Sequence, residues 1–278
     1  MSRLQDTPLA KNNKTPSQLK VDTMNRIENS LAGFHPTTLE DMNAIKLLKR
    51  YDTKFIFHKN QAGAVFDYLS GKYKILEIGD NRSFGYETLY YDTDDFHFYH
   101  QHHNRKLNRY KIRYRRYRQS DQCYFEVKFK NNRQKTIKSR LPLTNGNIHS
   151  DLSEETKRFA KERMIIGDCR IVDNIKPKLK VEYNRITFAN HAGKERLTID
   201  TDLTYIDGKA NRNKIDNLII AELKSENASP NAELYQYFKG LKILPTKFSK
   251  YCIGVAMTGL NVKRNRFKKK LMKLNRLS

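Results

Sequence analysis

Cysteine is scarce in this chain: Cys123, Cys169 and Cys252 lie far apart in 278 residues. That spacing excludes a paired-cysteine zinc pattern, and with no secretory leader it predicts buried free thiols in a reducing, cytoplasmic setting. Long apolar runs are missing as well. None approaches the roughly 18 residues that span a bilayer, so a membrane role would pass through a partner protein or through surface charge at the inner face. There is no phosphate-binding P-loop and no dinucleotide-type glycine pattern, and neither internal repeats nor a long low-complexity segment. Acid is in short supply: 30 Asp and Glu stand against 54 Lys and Arg, a net charge of +24. Such an excess favours phosphate-rich partners: nucleic acid, an anionic membrane surface or free polyphosphate.

What is present is alternation. From Tyr124 to Lys130, residues Tyr124, Glu126, Lys128 and Lys130 fall on one side of an extended chain, and Cys123, Phe125, Val127 and Phe129 on the other. Upstream, Arg109, Lys111, Arg113 and Arg115 share a face opposite Tyr110, Ile112 and Tyr114. Side chains on a strand alternate with period two, so these are two strands, 109–118 and 123–131, each with a charged face. Like charges across a strand pair repel, and an array of this kind implies a strongly anionic partner.

Along the chain, residues 1–35 are polar and aperiodic and read as a flexible arm. Helices are predicted at 37–48, 60–70 (ended by Gly71), 153–164 (capped by Ser153), 231–241 and 249–259. Strands are predicted at 49–57, 72–78, 86–92, 134–141, 178–188, 195–203 and 216–224, besides the two charged ones. The His-rich segment 94–104 fits a short helix or a crossing loop; its His97, His100, His102 and His103 read as an exposed polar crossing rather than a metal site. At least eight strands point to an α+β, mainly antiparallel fold. Repeated polar faces need shared, watery space, which a sandwich core does not offer. The expected architecture is therefore a closed antiparallel barrel or tunnel, basic inside, with helices packed outside. It would span 36–260, and a basic tail, 261–278, would follow. The tail carries eight cations and no acid between Lys263 and Arg276. It reads as a lid, a lipid contact or a solvated helix end.

Several polar constellations belong to the strand faces. Glu126, beside several cations, can balance charge or hold a divalent ion. Arg185 follows Tyr183 and Asn184; Arg196, Thr198, Asp200 and Asp202 share one face, and Glu222 and Lys224 another. Arg suits forked contacts to phosphate oxygens and Lys point contacts. Lys247, Ser249 and Lys250 open the last predicted core helix, whose free N–H groups favour anions.

Taken in order, Arg50–Phe55, Tyr90–Thr93, Lys111–Arg115, Phe125–Lys128, Tyr183–Arg185, Arg196–Asp202, Glu222–Lys224 and Lys247–Tyr251 resemble the VTC domain. This is the polyphosphate polymerase domain of the vacuolar transporter chaperone, a triphosphate tunnel metalloenzyme related to the CYTH proteins. The resemblance covers roughly residues 45–260. It implies a tunnel that takes ATP and polyphosphate, with Lys54, Arg113, Arg115, Lys128, Arg185, Arg196 and Lys250 as the catalytic cations. Lys111, Tyr183, Lys224, Lys247 and Ser249 would add phosphate contacts. Glu222 would hold Mn2+ or Mg2+, with Glu126 a second candidate. The first strand keeps only Asp52 and Lys54 where CYTH relatives carry several Glu, which argues against a triphosphatase. The resemblance implies a stand-alone bacterial transferase that moves the terminal phosphoryl group of ATP to a growing chain. The alternative is a non-catalytic polyphosphate or inositol-phosphate module that regulates a membrane protein. Specific nucleic-acid binding is disfavoured, because the cations face inward and a duplex cannot enter a narrow barrel.

Overall fold

Alternation decides the architecture. In the computed structural model, which describes residues 30–44, 51–133, 135–144, 151–190, 192, 194–226, 232–258 and 260–277, every charged face inferred above belongs to one sheet of eleven strands. The strands are β1 (Pro36–Thr37), β2 (Tyr51–His58), β3 (Lys74–Leu76), β4 (Phe84–Asp92), β5 (Arg109–Tyr117), β6 (Cys123–Lys130), β7 (Thr136–Leu143), β8 (Lys176–Asn190), β9 (Glu195–Asp207), β10 (Arg212–Ile215) and β11 (Leu218–Ser225). The main path runs β2-β11-β9-β8-β4-β5-β6-β7, antiparallel at every step. The short β3 and β10 pair with β8 and β9, and β1 lies parallel to β3.

The helices are α1 (Leu39–Ala44), α2 (Ala62–Leu69), α3 (His97–His103), α4 (Glu154–Arg163), α5 (Glu233–Gly240), α6 (Lys250–Met257) and α7 (Lys268–Asn275). Apart from α1, whose Met42 is buried with Leu76 and Phe84, they pack on the apolar side of the sheet in three clusters. Val65 and Phe66 of α2 and Phe238 of α5 meet Phe55, Phe188 and Ile219. Tyr251 and Val255 of α6 meet Val181, Tyr205 and Ile220. Ala160 of α4 and Phe98 of α3 meet Ile112, Phe125 and Val127. Apolar side chains thus leave water on the outer face while the charged face turns inward. Ser153 caps α4 as expected, its hydroxyl accepting from the Thr156 amide, and Gly71 takes a left-handed φ of 75° just beyond α2. The His-rich segment is a helix.

The α+β class and the antiparallel sheet match the sequence reading; a closed ladder does not form. Among the described residues β2 and β7 do not pair. The free edge of β2 is taken instead by the chain leading into α6: Phe55 bridges Pro245, and the Thr246 amide donates to the Lys54 carbonyl at 2.7 Å. Proline has no N–H, so a ladder cannot run on through that point. β10 is a further difference. It pairs with a C-terminal extension of β9, across a turn in which the Asp207 carboxylate accepts from the amides of Lys209 and Asn211.

Both ends of the chain contribute to the core. Leu31 and Phe34, inside the stretch read as an arm, are buried against Phe188 and its neighbours; residues 1–29 of that arm lie outside the described residues. Phe267 and Leu274 of the basic tail are buried beside α6. No helix among the described residues is long and apolar enough to cross a membrane.

Candidate functional site

The inward faces enclose a cavity of about 510 Å³. Each wall follows from strand periodicity. β2 contributes Asp52 and Lys54, β5 contributes Lys111, Arg113 and Arg115, β6 contributes Lys128, and β7 contributes Lys138 and Arg140. β8 adds Tyr183 and Arg185, β9 adds Arg196, Thr198 and Asp200, and β11 adds Glu222 and Lys224. Ser249 and Lys250 close one side from the start of α6. Strands at both ends of the open ladder thus face the same space. Eleven Lys and Arg side chains meet three carboxylates there, a strong local excess of positive charge.

α6 can reach this position because it has no side chain where it crosses the sheet. A Cβ on Gly254 would stand 2.5 Å from Leu179 Cδ2 and Tyr205 Cδ1. At the helix start the Ser249 hydroxyl accepts from the Cys252 amide at 3.3 Å, and Lys111 Nζ donates to the same hydroxyl at 2.9 Å. That contact ties α6 to β5.

The cations are held by three carboxylates and by tyrosine rings. Glu126, 0% exposed, lies beneath the cavity lining. Arg113 contacts its Oε2 through Nε (2.7 Å) and Nη2 (2.5 Å), and Lys138 (2.5 Å) and Arg140 (3.3 Å) approach Oε1. Burial pushes the Glu126 carboxyl pKa up, but Arg113, Arg115 and Lys138 together push it far below the usual carboxylate range. Asp200, 2% exposed, receives Arg185 through two nitrogens at 2.6 and 2.8 Å, and Lys250 as well. Its burial is outweighed by Arg185 and Lys250, leaving a pKa of about 2. Glu222 accepts from Lys54 Nζ at 2.9 Å. Its own burial is outweighed by Lys54, Lys224 and Arg185, so the carboxyl is lowered and stays ionised. Arg185 lies over Tyr86 at 5.0 Å and Lys250 over Tyr183 at 4.3 Å, while Arg113 and Arg115 donate to the hydroxyls of Tyr90 and Tyr183. Such contacts fix the cations before any ligand arrives.

Every residue that the sequence marked for the site lines this cavity except Lys247, whose carbonyl accepts from Lys270, and Glu126, which sits underneath. Glu126 has both oxygens engaged by cations, as in structural charge balance. Glu222 has an open oxygen: Lys54 takes Oε1, and no described side chain donates to Oε2. A carboxylate facing cations and incoming phosphate oxygens suits Mg2+ or Mn2+, which bind through one or two carboxylates plus phosphates. Among the described residues no three His, Cys, Asp or Glu side chains cluster to hold an ion by themselves, the histidines of α3 included.

Asp200, Lys138 and Arg140 are functional neighbours that the sequence reading did not select. Alternation already placed Asp200 and Arg196 together; only the tertiary pairing with Arg185 and Lys250 reveals its role. Asp202 leaves the face it was expected to share. Its φ is 54°, beside a register shift between β8 and β9, and its carboxylate turns to Asn184 and Lys214.

Residues 49–258 match the family model of the VTC domain. The chain belongs to the VTC-domain family. No curated protein matches it in sequence. Similar solved structures include an adenylyl cyclase candidate from Hippeastrum described with a dominant triphosphatase activity (12% identity, 76% of this chain and 97% of that one, TM-score 0.46). Others are an adenylate cyclase candidate from Bacillus halodurans (14%, 72% and 94%, TM-score 0.43) and a protein from Pyrococcus horikoshii (12%, 74% and 97%, TM-score 0.41). The VTC match takes in every cavity strand and the whole of α6, and α7 lies beyond it.

The crowding of cations in this VTC domain has a measurable consequence. Arg113 first, and then burial, hold Lys128 well below the usual lysine range. Burial, Arg113 and Arg140 bring Lys138 down to about 8, against the pull of Glu126. A bound anion favours the charged ammonium. Affinity for tripolyphosphate should therefore fall as pH rises through about 8, with proton uptake on binding near that pH. Calorimetric titration in two buffers of different ionisation heat measures the uptake; none at any pH from 7 to about 9 would mean these lysines carry their protons already.

Proposed function

We propose that this VTC domain is a metal-dependent polyphosphate polymerase that transfers the terminal phosphoryl group of ATP to a polyphosphate chain and releases ADP. The observation that carries the reading is the convergence of cations from seven strands and one helix start on a single cavity. A linear phosphoanhydride presents negative oxygens all along its length, and a surrounding wall of Arg and Lys meets them on every side. On this reading the curled sheet acts as a tunnel although its ladder is open.

Phosphoryl transfer asks little covalent help from a protein; positioning and charge neutralisation supply most of the rate. Arg113, Arg115, Lys128 and Arg196 would align the chain end and the nucleotide phosphates. A terminal oxygen of the chain attacks the γ-phosphorus, the bond from that phosphorus to the β-bridging oxygen breaks, and ADP leaves with the electron pair. Lys54, Arg185 and Lys250, already fixed by Glu222 and Asp200, would meet the charge that grows on the bridging oxygen. Glu222 would hold a divalent ion against the phosphates, and such an ion supplies further neutralisation of their oxygens. No side-chain nucleophile is required.

A second reading has its own support. Glu222 is tied to Lys54, and among the described residues no three acidic, His or Cys side chains group to hold an ion, as would suit a domain that binds polyphosphate or an inositol phosphate without turning it over. Incubation with ATP and Mn2+ separates the two. Release of ADP together with lengthening phosphate chains is expected; tight tripolyphosphate binding with no ADP under any divalent metal would leave the binding module standing.

A further inference from the structure

The cations do not stop at the cavity. Arg109 and Lys130 are direct cross-strand partners on β5 and β6, next in line after Lys111 and Lys128, which are also partners. Both Arg109 and Lys130 are half-buried. Beyond them Lys270 of α7 donates to the carbonyl of Lys247. His102 of α3 marks the junction: its ring lies 6.5 Å from Phe267, and its pKa is lowered to about 2 by burial and then by Lys111, Arg109, Lys270 and Lys130. One half-buried imidazole thus feels cavity, strand edge and terminal helix together.

These cations differ from four that line the cavity. Arg113, Arg185, Lys54 and Lys250 each have a carboxylate partner. Among the described residues none of Arg109, Lys130, Lys247 and Lys270 forms an ion pair with an acid. On α7 the exposed Lys268, Lys269 and Lys273 flank Lys270 in sequence, with no acid from residue 260 to 277. The helix is not a loose basic tail. Phe267 and Leu274 are buried against α3 and α6 and fix its orientation. A pinned, uncompensated row of like charges that begins at a phosphate cavity calls for a continuous anion.

We infer that Arg109, Lys130, Lys247 and the exposed lysines of α7 form an outer track for linear polyphosphate, along which a chain longer than the cavity leaves the domain. α7 alone adds about 12 Å of guided path. The inference rests on the polyphosphate reading above and extends it to α7, which lies outside the family match.

The test compares ligands of two lengths, tripolyphosphate and a long-chain polyphosphate, on the full chain and on a K268S/K269S/K273S variant. All three positions are exposed and lie outside the cavity, so folding is preserved. Affinity of the variant for the long chain should fall about tenfold or more, and its slope against log salt should shrink by about 2, as three lost contacts imply for a flexible polyanion. Tripolyphosphate affinity should stay within about twofold, by the same reasoning of contacts untouched. Equal affinity of both proteins for the long chain overturns the track while leaving the cavity reading intact. Failure of tripolyphosphate to bind the unmodified protein overturns the cavity reading itself. Loss of binding to anionic-lipid vesicles with long-chain affinity unchanged assigns the helix to a membrane surface and overturns the track.

Discussion

Glu126→Ala should destabilise the domain by about 3–5 kcal/mol, the cost of leaving buried cations without their counter-charge. Arg113 is 5% exposed and, with Lys138 and Arg140, converges on that one carboxylate. For a chain of this size the loss corresponds to a fall of roughly 10 °C in the unfolding midpoint. The sign with pH is fixed. The folded carboxyl is lowered from its ordinary 4.5, so its contribution is complete above that value and is lost as pH falls further. The variant should therefore differ most from the parent at neutral pH and least in strong acid. Tripolyphosphate should stabilise the variant more than the parent, because the ligand brings the missing negative charge. Thermal melts with and without the anion measure both effects. A change below about 1 kcal/mol, the scale of a surface pair, would mean that the cations are compensated by other groups.

Glu222→Gln should move turnover and affinity in opposite directions. Gln keeps the size and a hydrogen-bond acceptor for Lys54 but removes a carboxylate with an open oxygen toward an incoming ion. ADP release from ATP should fall by about 100-fold or more, the scale on which one charge-stabilising group acts in such sites. Tripolyphosphate should bind as tightly as before or slightly better, since one negative charge has left a cavity of opposite sign. Initial rates and a titration on the same preparation give both numbers. A parallel loss of both would assign Glu222 a structural role in placing Lys54, and unchanged turnover would remove it from the chemistry.

Strand periodicity made much of this molecule legible. The charged faces of β5, β6 and β11 and the apolar faces behind them are properties of residue order alone, and so is their need for an enclosed polar space. The helix that carries Ser249 and Lys250 is predicted at 249–259, with those residues at its start. What the sequence could not show is pairing at a distance. Asp200 reads as one acid among several on a strand until Arg185 and Lys250 are seen to share it. Glu126 reads equally well as ion ligand or counter-charge until three cations are found around it. Local backbone exceptions were equally hidden. Asp202 sits at a bulge with positive φ, and no periodic pattern announces the residue at which the period fails. The open ladder belongs to the same class: Pro245 is visible in the sequence, but its seat on the edge of β2 is not.

That seat gives the enclosure unequal stiffness around its girth. Strands laced by continuous ladders make up most of the circumference and move as one body. Between β2 and α6 the boundary is single chain, fastened by the bridge at Pro245, one amide at Thr246, the buried Phe248, the hydroxyl of Ser249 and the Lys250–Asp200 ion pair. Dilation there breaks a handful of hydrogen bonds and leaves every ladder whole. A broader guest should therefore displace this segment before it strains the ladder that carries Arg113 and Lys128.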